Sequence, residues 1–241
     1  MRYFITFSYD GTAYHGWQIQ PHSNSVQEEL QKALSTLLRE SVEVVGAGRT
    51  DTGVHARKMI AHFDFREMDC HQVVYKLNKI LPKDIAVQSI ERVADDLHAR
   101  FSATSRTYHY YVHLKKNPFH RAYSWQVYGE LDFDLMNQAA IVLMKYQDFT
   151  SFSKSNTDTK TNNCTITYAR WDRVDDDQWR FTITANRFLR NMVRAIVGTL
   201  VDVGRGKITM DQMRKIIEAK DRCQAGDSVP GNALFLVDVK Y

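Results

Sequence analysis

YFITFSY at residues 3–9 alternates as a β-strand does, and its larger side chains share one face: Tyr3, Ile5, Phe7 and Tyr9. Ser25 and Glu28 then stand at the spacing of a helix capping box, with apolar residues at helical spacing behind them. Outward from this strand and helix, the pattern predicts strands at 42–45, 59–65 and 85–93 and a helix at 71–81. The resulting order, βαββαβ, is that of a ferredoxin-like half.

The second half of the chain has a similar pattern without repeating the sequence. Its predicted strands lie at 107–114, 164–174, 178–185 and 234–241, and its predicted helices at 134–146, 188–203 and 209–220. We therefore predict an α+β fold of two ferredoxin-like βαββαβ halves, residues 1–104 and 105–241, with a central cleft. Residues 151–163 are polar, which predicts a surface loop.

The composition is that of a folded protein. Of 241 residues, 44% are hydrophobic and 25% charged, and no apolar run approaches the roughly 18 residues of a membrane span. The first residues have a strand pattern and no signal-peptide core. Cys70, Cys164 and Cys223 are too few and too far apart for a disulfide framework. We expect a soluble, cytoplasmic protein with no membrane partner.

The charges are unevenly distributed although the net charge is only +4. Between Leu97 and Gly129 there is no acidic residue, while basic residues alternate with many aromatic ones. Such a mixture suits neutralisation of phosphates combined with stacking of bases. An ordinary solvated face beside half-buried strand aromatics is the alternative. Nucleic acid is therefore the leading candidate partner.

The densest group of chemically active residues lies at 46–56, GAGRTDTGVHA. Its glycines permit sharp turns and close approach of a ligand, and Arg49, Asp51 and His55 are held among them. A carboxylate beside guanidinium groups stays ionised, so Asp51 suits nucleophilic or base chemistry. The alternative is a glycine-rich turn in which the aspartate caps a backbone N–H.

Basic residues also mark the predicted helix at 188–203. Arg187, Arg190 and Arg194 follow at intervals of three and four residues, which places them on one stripe of that helix. Such a stripe could pair with carboxylates or phosphates, or could be ordinary solvated surface. For a metal, His109 and His113 form only a same-face pair on a strand. Nucleotide-binding and metalloprotease motifs are lacking, so we expect no metal and no cofactor.

Four segments resemble, in order and spacing, the signature motifs of the tRNA pseudouridine synthase A (TruA) family. They are residues 9–18 (YDGTAYHGWQ), 48–56 (GRTDTGVHA), 98–103 with 106–110 (HARFSA, RTYHY) and 188–194 with 197–200 (FLRNMVR, VGTL). The resemblance implies a pseudouridine-synthase fold and the isomerisation of uridine to pseudouridine at positions 38, 39 and 40, in the anticodon stem and loop of tRNA. It also implies a homodimer that needs no cofactor or metal.

The same resemblance assigns roles to individual residues. Asp51 is implied as the catalytic aspartate and Tyr108 as the residue that stacks on the target base. Arg194, or else Arg190, is implied as the basic partner of Asp51. Arg49 is implied to contact RNA or to hold the flipped nucleotide.

Two other classes of function compete with a tRNA isomerase. A non-catalytic RNA-binding protein with ferredoxin-like modules would not need an aspartate among arginines, and the chain lacks an RNP1-type aromatic cluster. A hydrolase with an aspartate nucleophile would need a second carboxylate or metal ligands near Asp51, which the loop does not offer.

Overall fold

The computed structural model describes residues 1–154 and 160–241. Its strands are β1 (Arg2–Tyr9), β2 (Val45–Gly46), β3 (His55–Asp64), β4 (Ile85–Val93), β5 (Ser105–His113), β6 (Trp125–Gln126), β7 (Ile166–Arg173), β8 (Gln178–Ala185) and β9 (Leu234–Lys240). Its α-helices are α1 (Val26–Leu38), α2 (Cys70–Ile80), α3 (Phe133–Leu143), α4 (Met192–Gly204) and α5 (Met210–Ala219). The fold is α+β with mostly antiparallel strands, as the sequence predicted.

The first of two compact units contains Met1–Thr104 and Phe235–Tyr241. Its antiparallel strands follow the order β4-β1-β3-β2, and with α1 and α2 they complete one βαββαβ half. The predicted face of β1 is buried, and Leu30 and Leu34 of α1 are also in the core. Ser25 caps α1 by accepting the Glu28 N–H at 3.3 Å. Local periodicity and capping thus act as the sequence predicted.

The predicted division into residues 1–104 and 105–241 places the last strand in the second half. In the structure, residues 235–241 instead belong to the first unit. β9 pairs in parallel with β3 where His55 and Ala56 face Phe235 and Leu236. The Thr104 N–H donates to the Lys240 carbonyl at 2.7 Å. These contacts join residues more than 100 positions apart, so no local pattern could have indicated them.

His62 on β3 supports the loop between β4 and β5. It is buried, and its Nδ1 accepts the Ala99 N–H at 3.2 Å, which requires that nitrogen to be unprotonated. Burial, followed by the positive charge of Arg2 and the neighbouring His98, lowers the pKa of His62 to about 4. As the pH falls, the unfolded chain therefore takes up a proton at His62 at a higher pH than the folded protein does.

We expect the free energy of unfolding to decrease as the pH falls from about 6.5 towards 4, by roughly 1–3 kcal/mol from this group. Stability decreases because, in that pH range, the unfolded state binds a proton at His62 and the folded state does not. Urea unfolding at pH 7 and pH 4.5 measures it. His62→Asn keeps an acceptor near the position of Nδ1 but does not titrate, so its free energy of unfolding should decrease less than that of the wild type. The variant His71→Asn, at an exposed site, should show the same decrease as the wild type. Equal decreases in all three would contradict the assignment to His62.

The second unit, Ser105–Leu234, contains the strand order β5-β8-β7, with β6 parallel to the end of β5. Its central helix, α4, is buried along most of its length, because α3, α5 and neighbouring loops cover it. Gly198 is required there, since a Cβ would lie 2.0 Å from the Asp227 carbonyl oxygen. Although α4 is apolar, no helix in the described ranges has the length and apolarity needed to cross a bilayer.

The predicted start of the helix at residue 188 is wrong. α4 begins at Met192, and the preceding residue, Asn191, has a left-handed backbone with φ of 67°. Asparagine tolerates this conformation, and its Nδ2 also donates to the Ser228 hydroxyl at 2.5 Å. Arg187 and Arg190 therefore precede the helix, and the predicted stripe of three arginines on one helix does not exist.

The predicted surface loop at 151–163 is wrong at its beginning. Thr150–Phe152 forms a short 3-10 helix in which Ser151 and Phe152 are buried. The Ser151 hydroxyl donates to the Ile216 carbonyl at 2.6 Å and accepts the Asp221 N–H at 3.0 Å, which compensates for the burial of a polar group. Residues 155–159 of the predicted loop lie outside the described residues.

Candidate active site

Asp51 occupies the first position of a tight turn in the segment between β2 and β3. The Val54 N–H closes the turn by donating to the Asp51 carbonyl at 3.1 Å, and Gly53 has a φ of 75°. A residue with a side chain would be strained at that φ, which explains this glycine. Asp51 is half-buried, whereas Arg49 and Thr52 are exposed. The turn therefore holds a carboxylate at the edge of the surface, two positions after an exposed arginine.

The N-terminal segment, residues 9–18, packs against this turn. The Trp17 N–H donates to the Thr50 carbonyl at 3.2 Å, and the Gly53 N–H donates to the Tyr14 carbonyl at 3.3 Å. The buried hydroxyls of Tyr9 and Thr50 lie 2.9 Å apart. The residues on both sides of Asp51 are thus held by backbone and side-chain bonds from another part of the chain.

Two glycines allow this close packing. Gly16 has a φ of 98°, and a Cβ there would lie 2.3 Å from the Thr50 carbonyl oxygen and 3.1 Å from the Asp51 carbonyl carbon. A Cβ on Gly11 would lie 2.1 Å from the Val54 carbonyl oxygen. Such distances are far below van der Waals contact, so any side chain would displace the turn.

His55 follows the turn as the first residue of β3 and is almost completely buried. Its Nδ1 lies 3.0 Å from both the Gly11 N–H nitrogen and an Asp10 carboxylate oxygen. Its ring stacks on Phe235, with ring centroids 4.5 Å apart. These contacts give His55 a role in connecting the N-terminal segment to the sheet, and its burial removes it from contact with a substrate.

In the second unit, Tyr108 lies on β5 and is only 8% exposed. Phe188 packs edge-to-face against its ring, with centroids 5.2 Å apart and planes at 88°. This contact fixes the orientation of the ring, which a stacking platform requires.

The two candidate arginines differ in their surroundings. Arg194 lies in the first turn of α4, is half-buried, and donates from Nε to the Val229 carbonyl at 2.6 Å. Burial raises the pKa of the nearby Tyr110 phenol, and the positive charge of Arg194 opposes that rise. Arg190 is exposed, and its carbonyl accepts the Lys154 N–H at 3.0 Å. The Val229 carbonyl thus holds the Arg194 guanidinium in place.

The comparisons with known proteins decide the family. The sequence model of the tRNA pseudouridine synthase family matches residues 5–102 and 139–241. The chain belongs to the tRNA pseudouridine synthase family. It is consequently an isomerase that forms pseudouridine in tRNA, and the matched ranges of this pseudouridine synthase include Asp51, Arg190 and Arg194.

Several relatives of this pseudouridine synthase align along its whole length. "tRNA pseudouridine synthase A" of Bacteroides thetaiotaomicron is 61% identical and covers 100% of this chain and 90% of its own. The protein of the same name in Porphyromonas gingivalis is 52% identical, covering 100% and 97%. That of Bacillus subtilis is 42% identical, covering 100% and 99%.

Sequence reasoning did not find the residues that position the turn. Gly11 and Gly16 stand out in the sequence only as parts of a family signature, and Tyr9 also as a residue of the predicted strand face; none of these patterns predicts packing against residues 50–54. Two glycines and several aromatic residues within ten positions were the available signal. No group of three or more potential metal ligands occurs in the described part of this synthase.

Proposed function

We propose that the enzyme isomerises uridines at positions 38, 39 and 40, in the anticodon stem and loop of tRNA, with Asp51 as the catalytic carboxylate. The observation that carries this proposal is the turn that holds Asp51 half-buried while the N-terminal segment, residues 9–18, packs closely against it. A simple RNA-binding surface does not require such rigid placement of one acidic group, whereas catalysis does.

The reaction needs three operations on one nucleotide. The C1′–N1 bond breaks, the uracil turns while it is held, and C1′ joins C5. C5 then loses its proton and N1 gains one, so that the product has the same atoms as the substrate. An ionised carboxylate assists either by attacking C1′ or by removing the 2′ proton, and both routes remain open for Asp51. No electrons or groups are exchanged with another molecule, so we propose that the reaction proceeds without a cofactor or metal.

The other side chains serve binding of the substrate in this proposal. A base in a stem must leave its stack, which costs a few kcal/mol, and stacking on Tyr108 compensates for part of this cost. Arg194, with its fixed guanidinium, supplies positive charge to the reacting groups, and Arg190 and Arg49 contact the tRNA backbone. We further propose that the enzyme works in the cytoplasm as a homodimer.

Mapping of pseudouridine in unmodified tRNA transcripts tests the assignment of position. Transcripts that carry uridine at only one of positions 38, 39 and 40 should each gain pseudouridine there. A transcript with cytidine at all three positions should gain none. Products at other positions would overturn the assignment to the anticodon stem and loop.

Light scattering of the purified protein tests the proposed homodimer: the mass should be that of two chains, and the mass of one chain would contradict it.

We expect the affinity for tRNA to fall by roughly 10- to 1,000-fold when monovalent salt rises from 50 to 200 mM, because binding releases counterions from phosphates. Filter binding at several salt concentrations gives the slope. Arg49→Gln should reduce the magnitude of that slope by about one, as expected for one lost phosphate contact. An affinity that does not change with salt would contradict the electrostatic part of the proposal.

A further inference from the structure

Phe101 is more exposed than the other large hydrophobic residues described in the first unit. It lies on the segment that joins β4 to β5, and 75% of its side chain is exposed. A single exposed ring is common at protein surfaces, so a role for Phe101 depends on how its backbone is held and on which groups contact the ring.

The backbone that carries this ring is firmly held. Ala99 is fully buried, donates its N–H to His62 and accepts the Tyr241 hydroxyl at its carbonyl at 2.7 Å. The N–H groups of Arg100 and Phe101 both donate to Nδ1 of His98, at 3.1 and 3.3 Å. Phe101 is therefore presented to solvent from an anchored turn, so little ordering is required when a ligand binds.

An imidazole and a guanidinium contact or neighbour the ring. The His98 ring packs against it, with centroids 4.3 Å apart, and the Arg100 guanidinium carbon lies 5.5 Å from its centroid. The segment from Leu97 to Gly129 contains no acidic residue. A single ring beside an arginine suits one nucleobase and its phosphate, whereas a stable protein interface needs a much larger apolar area.

We propose that Phe101, together with Arg100, is a docking platform on which an unpaired tRNA nucleotide other than the target uridine stacks. Its exposure separates this role from that of Tyr108: a reacting base must be shielded from water, and a ring that is three-quarters exposed cannot shield it. The platform therefore contributes to the affinity for tRNA and not to the chemical step. This inference rests on tRNA as the substrate, but not on which uridine is modified.

Binding and turnover of Phe101 variants test the platform. Phe101→Ala should weaken binding of an unmodified tRNA transcript by about five- to fiftyfold, which corresponds to the loss of one stacked base. Its turnover at saturating tRNA should stay within about twofold of the wild type. Phe101→Tyr should bind like the wild type, whereas Phe101→Leu, which keeps apolar bulk without an aromatic face, should resemble Phe101→Ala.

Tyr75→Ala is the matched control, because Tyr75 is a 65% exposed aromatic residue on α2 of the same unit, outside the acid-free segment, and should not change the affinity comparably. Unchanged binding by Phe101→Ala would overturn the proposal, as would a lower turnover with unchanged affinity. A change in oligomeric state on light scattering would instead assign the ring to a contact with a second copy. Urea midpoints equal to the wild type exclude misfolding, and Phe101→Tyr supplies a conservative second variant. Because affinity is measured separately from the position of the product, a wrong assignment of the target uridine would leave this test intact.

Discussion

Asp51→Asn should reduce the formation of pseudouridine by at least about 1,000-fold while tRNA binds as well as before, or slightly better. The amide has nearly the same shape as the carboxylate but can neither attack C1′ nor accept the 2′ proton. Removing a negative charge from a surface that meets phosphates also cannot weaken electrostatic attraction. Single-turnover assays give the rate, and filter binding gives the affinity.

A charge-matched control separates chemistry from a general effect on charge. Asp96→Asn removes an equal charge from an exposed position in the same unit and should leave turnover within about twofold of the wild type. If Asp51→Asn instead lost tRNA binding and turnover in parallel, Asp51 would have a structural role, as the cap of its own turn. Full activity in Asp51→Asn would exclude it as the catalytic group.

Gly16→Ala should produce the second largest effect, a loss of about 100-fold in turnover. The added Cβ would lie 2.3 Å from the Thr50 carbonyl oxygen, so the peptide that precedes Asp51 has to move. A displacement of about 1 Å of a catalytic group is sufficient for a loss of this size. Affinity for tRNA should change much less, because Arg49 is the one proposed binding residue next to the displaced peptide, whereas Tyr108 and Arg190 belong to the second unit.

Gly129→Ala is a close control for this experiment. Gly129 has a φ of 87°, similar to the 98° of Gly16, but a Cβ there meets nothing within 4 Å. Both variants should lose about 1 kcal/mol of stability or more from backbone strain, and only Gly16→Ala should lose turnover. Turnover by Gly16→Ala equal to that of Gly129→Ala would show that the N-terminal segment does not position Asp51.

The elements that the sequence predicted well depend on neighbours within a few positions. The helix predicted at 209–220 forms as α5, and a capping box of Thr209 and Gln212 begins it. Ser25 caps α1, and the alternation in β1 identifies its buried face. Periodicity and capping arise from interactions between residues three or four apart, which are legible in the chain itself.

The sequence-based predictions are wrong where a contact with a distant residue overrides a local preference. Nothing around residue 188 prevents a helix, yet Asn191 adopts a left-handed backbone while its side chain binds Ser228, 37 positions away. With Asn191 in this conformation, α4 begins at Met192. Arg190 therefore lies exposed before the helix, and Arg194 lies in the first turn of the helix. That Val229 holds the Arg194 guanidinium was therefore not predictable from spacing.

The sequence by itself determined the α+β class, the order of elements in the first half and the family, because these depend on periodicity, caps and motifs. Only the tertiary structure decided that residues 9–18 clamp the Asp51 turn, that β9 lies beside β3 and that Val229 holds Arg194. Each of these is a contact between backbone groups or side chains tens to hundreds of positions apart. Such contacts form only when the sheet and helices bring the segments together, so no pattern among neighbouring residues predicts them.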